Sequence, residues 1–142
     1  VKYPELFGLI FCFLGTACGQ SGKTEIESST EKISKNYIRA IPGTDEPLEL
    51  DLVKRGEVLI AYADCYDCHR TENRSKGPAF QDIAKRYPIQ EVYMEHLARK
   101  IIHGSTGAWG YPVMDPHPNI SVEDAKTMAS YILSLKGSNA DF

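Results

Sequence analysis

From Asp51 onward, apolar positions recur at the three- and four-residue spacing of a helix with one buried face. Val53, Gly56, Leu59, Ile60 and Ala63 predict a first helix running to about Tyr62, with Asp51 placed to cap it. Gly56 costs about 1 kcal/mol against Ala in a helix interior, so it marks either a close helix crossing or a tolerated weak position. Thr71 to Gly77 is a charged loop, punctuated by Gly77-Pro78. A short helix follows from about Ala79 to Arg86. A third covers about Gln90 to His103, with Tyr93, Leu97, Ala98, Ile101 and Ile102 on its apolar side and Gly104 as its stop. Ser121 caps the last helix, and Asp124 stands in for the usual Glu of a capping box. Val122, Ala125, Met128, Ala129, Ile132 and Leu133 supply its predicted buried stripe, and Gly137 ends it. Between the third and last helices, residues 105–119 hold two Gly and three Pro, which forbid helix through most of the stretch. Trp109, Tyr111, Val113 and Met114 argue for an ordered loop there. No long alternating strand is visible. The pattern predicts an all-α domain of three main helices and a short one over residues 48–138, with 139–142 as a tail.

The N-terminal stretch has a different texture. Leu6 to Ala17 is mostly apolar. A helix of that length spans about 18 Å, too short for a hydrocarbon layer of about 30 Å. It fits the apolar region of a signal peptide over residues 1–17. Gly15, Thr16 and Ala17 lead into Cys18, an ending that resembles a bacterial lipoprotein box. Gly15 holds the place usually taken by Leu, and Leu14 lies one residue further back. That resemblance implies cleavage before Cys18, a lipid on its sulfur and a protein tethered on the periplasmic side. An ordinary signal peptide cleaved nearby, or an uncleaved anchor, are the alternatives. Residues 18–47 read as a flexible polar tether. The run Gln20 to Lys32 carries a single apolar side chain, Ile26, too little to offset the entropy of ordering. A partner-binding arm around Tyr37-Ile38 is the competing reading.

The chain has 142 residues and a formal charge of −3. That length suits one domain, and that charge argues against a nucleic-acid partner, which wants a basic face. Of four cysteines, Cys12 and Cys18 lie in the N-terminal stretch and Cys65 and Cys68 lie in the domain, so no pair is left over for a disulfide framework.

The candidate chemistry sits in Cys65-Tyr66-Asp67-Cys68-His69. A C-x-x-C-H run is the attachment signature of c-type haem: two thiols add to the two vinyl groups of the macrocycle, and the histidine that follows can reach one face of the iron. Two other readings compete. A redox disulfide needs a βαβ setting, and none is visible; a zinc site needs a second well-spaced ligand pair, which is absent. The ligand on the other face of the iron decides the function. Met114 lies in the ordered loop between Pro112 and Pro116, and a neutral, soft thioether favours the reduced metal. His117 is the serious rival and His103 the next. Met94 and Met128 read as core filler, and His96, set among charges, reads as a solvated side chain.

Cys65-x-x-Cys-His69, Gly77-Pro78-Ala79-Phe80, Gly107-Ala-Trp-Gly-Tyr-Pro-Val-Met114 and the terminal helix with Tyr131 together resemble a small bacterial class I cytochrome c, over about residues 50–137. The resemblance implies the cytochrome c fold, one covalent haem c on Cys65 and Cys68, and iron ligation by His69 and Met114. It also implies that the Pro78 carbonyl accepts a hydrogen bond from His69, although a proline here also suits a helix start. Trp109 is implied beside the haem, within reach of a propionate; a core aromatic is the alternative. Where the family often has Pro after the Met, this chain has Asp115. The expected function is one-electron transfer between redox partners that dock briefly, by a monomer and not an enzyme. A haem sensor, a peroxidase-like protein with a displaceable Met, or a haem subunit of a membrane oxidase or reductase complex are the alternatives. Lys76, Lys85 and Arg86 are candidates for a docking rim, or ordinary solvated charges.

Overall fold

A computed structural model describes residues 37–137. The stretches expected to be a signal peptide, the lipidated Cys18, the tether as far as residue 36 and the tail lie outside the described residues. Helix α1 covers Leu50–Tyr62, α2 Phe80–Arg86, α3 Glu91–His103 and α4 Val122–Ser134. A 3-10 turn, Asp64–Asp67, follows α1, and another, Leu135–Gly137, extends α4.

The two long terminal helices cross where α1 has no side chain. A Cβ at Gly56 would stand 2.2 Å from the Thr127 carbonyl oxygen and 2.9 Å from Cβ of Tyr131. Gly56 is therefore there for a close crossing, which brings the apolar faces of α1 and α4 together. Ile60, Leu133 and Ala129 are almost fully buried in that seam. Helix α3 packs its Leu97, Ala98 and Ile101 face onto the same core. Met94 is core filler, with the Ser130 hydroxyl donating to its sulfur at 3.0 Å. Ser121 caps α4 as its sequence predicts: its hydroxyl oxygen accepts from the Asp124 N–H at 3.0 Å.

Three local expectations change. Asp51 does not cap α1; the helix begins one residue earlier, at Leu50, with Glu49 ahead of it and no side-chain cap. Asp51 then sits in the first turn, where a negative charge suits the helix dipole. Val122, the first residue of α4, is 65% exposed, and the buried stripe begins at Ala125. The loop of residues 105–119 contains a small antiparallel hairpin, β1 (Ser105–Gly107) with β2 (Gly110–Met114). Gly104, Gly107 and Gly110 all have φ between 75° and 84°, a conformation that favours glycine, so the chain turns sharply out of α3 and again at the hairpin tip.

The segment before α1 also differs from a free tether. The Ile41 N–H donates to the Arg86 carbonyl at 2.8 Å, and the Glu46 N–H to the Ile89 carbonyl at 2.8 Å. Asp45 accepts from the Ile89 N–H and from Lys136, each at 2.8 Å. Gly43 lies flat on Pro88, where a Cβ would come within 2.6 Å of the ring. Residues 37–47 thus form a strap over the corner between α2 and α3. Composition alone masks this, because the strap is fastened through its backbone more than by burying apolar side chains.

Candidate functional site

Helix α1 stops at Tyr62, and Ala63 turns extended, with φ −97° and ψ 128°. The chain then curls into the 3-10 turn that carries Cys65. The Cys68 and His69 N–H groups both donate back to the Cys65 carbonyl, at 3.3 and 2.9 Å. Cys65 is half-buried and Cys68 exposed. Burial is the main effect on Cys65 and pushes its thiol upward.

His69 is held on several sides. It is buried, and Nδ1 lies 2.7 Å from the Pro78 carbonyl oxygen. A carbonyl only accepts, so Nδ1 carries the proton and donates, which leaves Nε2 with its lone pair free. The Phe80 ring stacks on the imidazole, with centroids 5.1 Å apart and planes 14° from parallel. At Gly77 a Cβ would come within 2.6 Å of His69 Cε1, so only glycine fits there. Burial pulls the imidazole below its ordinary pKa, with the Pro78 bond opposing and His117 adding a smaller lowering. Burial thus favours the neutral ring. The loop that delivers Pro78 is pinned by Gly77 N–H to the Cys68 carbonyl at 2.8 Å and Phe80 N–H to the Arg70 carbonyl at 2.9 Å.

These groups border a cavity of about 550 Å³. Cys65, Cys68, His69 and Pro78 form one part of its wall, and Trp109, Val113 and Met114 of the hairpin another; Ile60, Leu97, Ile101, Met128 and Ile132 supply apolar lining from the helices. Met128 therefore lines the cavity as well as filling the core. Met114 is half-buried at the end of β2.

The rival ligands are differently disposed. His117 also borders the cavity, but its backbone N–H donates to the Ile101 carbonyl at 3.1 Å. Its ring Nδ1 lies 3.3 Å from that same oxygen, and Nε2 lies 3.6 Å from the Asp64 carboxylate. His103 is exposed at the end of α3 and away from the cavity. His96 is not a freely solvated side chain: it is half-buried, its ring centroid is 5.7 Å from that of Tyr87, and burial lowers its pKa.

The hairpin is tied down by residues whose part in the site the sequence does not reveal. Arg86, a candidate for the docking rim, is half-buried and engaged: it donates to the Ala108 carbonyl at 3.0 Å, and its guanidinium lies 4.7 Å from the Trp109 ring centroid. Arg74 donates to the carbonyls of Trp109 and Tyr111, at 3.0 and 3.3 Å. Lys76 stays exposed at the cavity mouth, and Lys85 is half-buried.

The cavity has the size of a cofactor site, about 300–1,000 Å³, and is mostly apolar. Among the described residues no group of three His, Cys, Asp or Glu side chains could hold a bare metal ion. Two thiols, a neutral imidazole with one free nitrogen and a thioether around one apolar space fit an iron porphyrin.

The comparisons with known proteins agree. The family model for cytochrome c matches residues 53–136. Cytochrome c-552 of Nitrosomonas europaea is 44% identical over 73 residues, covering 51% of this chain and 71% of that protein. Cytochrome c-551 of Pseudomonas denitrificans is 40% identical over 81 residues, covering 57% of this chain and 98% of that protein. Among solved structures, a deletion mutant of Nitrosomonas europaea cytochrome c552 superposes with a TM-score of 0.53 at 41% identity, over 56% of this chain and 99% of that one. The chain belongs to the cytochrome c family. It has the cytochrome c fold, binds one covalent haem c and acts as a monohaem electron carrier. The matched span begins after the strap of residues 37–47.

Proposed function

We propose that haem is attached through Cys65 and Cys68 and that its iron is ligated by His69 and Met114, which leaves no coordination position for a substrate. The observation that carries this reading is the Nδ1 bond of His69 to Pro78, which frees the other ring nitrogen beside a cavity that Met114 also lines. When bound, the haem supplies a one-electron Fe(III)/Fe(II) couple. The chain's own residues set the terms. Pro78 fixes the tautomer of His69 and raises its basicity as a ligand. The thioether of Met114 is neutral and soft, favouring the reduced metal and raising the potential. The helix residues exclude water, which limits solvent rearrangement when charge changes. Trp109 lines the same cavity, which supports reading it as a neighbour of the haem and a donor to a propionate. With both axial positions filled, the reading is of a carrier and not an enzyme.

The N-terminal reading extends this. The protein is exported as a monomer to the periplasmic side and held at the membrane by a lipid on Cys18. From there it docks transiently with redox partners through a small interface. The lipoprotein-like run Gly15-Thr-Ala-Cys18 supports it, and two acyl chains or more give a stable anchor.

Met114→Ala tests the assignment. It is expected to lower the reduction potential and to let carbon monoxide bind the reduced protein, which the wild type resists. An unchanged potential with no carbon monoxide binding would reject Met114 as a ligand.

A further inference from the structure

Met114 stands at the end of a hairpin that has little core of its own. Ser105, Trp109 and Met114 are half-buried, while Thr106, Gly107, Ala108, Gly110, Tyr111 and Val113 are exposed. What holds this hairpin comes from three distant places in the chain. Arg86, on α2, binds the Ala108 carbonyl and covers the Trp109 ring. Arg74, in the loop after the haem motif, binds the Trp109 and Tyr111 carbonyls. Tyr37, in the strap, meets the edge of Trp109 at 5.3 Å between ring centroids. The Arg74 guanidinium also lies over the face of Tyr37, 4.5 Å from its centroid. The Tyr37 ring is thus wedged between Trp109 and Arg74, and it is the ring that matters. The Tyr37 hydroxyl is buried, with the Arg74 guanidinium as its charged neighbour.

We propose that Tyr37, Arg74 and Arg86 form a clasp that positions the hairpin, so that the N-terminal strap sets how firmly Met114 is held as an axial ligand. The proposal rests on the Met114 reading above. The three are positioning residues: they act on hairpin carbonyls and on Trp109, and through these on the thioether. Cation–π contacts and hydrogen bonds from charged donors are each modest at a partly exposed site, but all three residues here bear on one short hairpin. Releasing them frees the hairpin to swing away, while the haem stays on Cys65 and Cys68 and the imidazole stays with Pro78. The family match begins at residue 53, so Tyr37 lies outside the matched span.

The test uses the oxidised, haem-loaded full chain. Its readouts are the far-red charge-transfer band of methionine-ligated haem and the affinity for added imidazole, which binds only when Met114 leaves. Arg74→Ala and Tyr37→Ala are each expected to weaken the band and raise imidazole affinity about fivefold, equivalent to about 1 kcal/mol. Tyr37→Phe keeps the ring and is expected to match the wild type; Arg74→Lys is expected to recover part of the loss. Ser121→Ala serves as a control that lowers global stability by removing a helix cap without touching the hairpin. Wild-type affinity in both alanine variants overturns the clasp, as does an equal rise in Ser121→Ala. A wild type with no far-red band overturns instead the assignment of Met114.

Discussion

On the imidazole side of the cavity every holding contact is short in sequence: His69 to Pro78, His69 to Cys65, Gly77 to Cys68. On the hairpin side the contacts that pin it to the rest of the molecule are long: Arg86 reaches 22 residues to Ala108, Arg74 reaches 35 to Trp109, and Tyr37 meets Trp109 from the strap. The first wall is built around one buried, stacked ring. The second is partly exposed and pinned from outside by cations. This difference suits a carrier. The attachment side has to be invariant, because covalent haem fixes it once. On the proposed ligation the thioether side has to stay shut through repeated redox cycles, yet it is built from a hairpin with little core of its own. Its stability is therefore a matter of tertiary clamps, which substitution can loosen without unfolding the protein.

The largest way to break the comparison is at its fixed point. Cys65→Ala combined with Cys68→Ala is expected to abolish covalent attachment entirely, so that acid acetone extracts the pigment. Pigment that resisted extraction would contradict the attachment residues. The next effect separates the two walls. Gly77→Ala places a Cβ against His69 Cε1, and either the ring or the loop has to move. Such overpacking is expected to cost about 3 kcal/mol in thermal or denaturant unfolding. Gly107→Ala, at the hairpin tip, meets no atom within 4 Å and only its φ of +75° resists, which is expected to cost about 1 kcal/mol. Equal losses at the two glycines would mean that the walls are not built as differently as described.

How much of this was legible follows the same division. The haem motif and the helices are legible because their signals are local, a five-residue spacing and a period of 3.6, whereas the part of Pro78 comes from the family resemblance and the bond at 2.7 Å bears it out. The close crossing at Gly56 was one of two readings, and Thr127 on the facing helix decides it. The hairpin was not legible as strands. Its pairing is three residues against five, its glycines mimic a plain turn, and Pro112 interrupts the alternation. Nor was the strap, since a polar composition says nothing of backbone hydrogen bonds to residues more than 40 positions away. Arg86 shows the limit most plainly. From the sequence it is one more basic side chain at the end of a short helix, and only the fold lays it across Trp109.

The central claim is that Met114 closes the iron from the hairpin while His69 holds it from the other wall. Proton NMR of the reduced haem-loaded protein tests it most directly, because a methyl group held over a porphyrin is shifted by the ring current far upfield of every other methyl. The account predicts one such methionine signal in the wild type and its loss in Met114→Ala. No upfield methionine methyl in the wild type, or one that persisted in the variant, would contradict it.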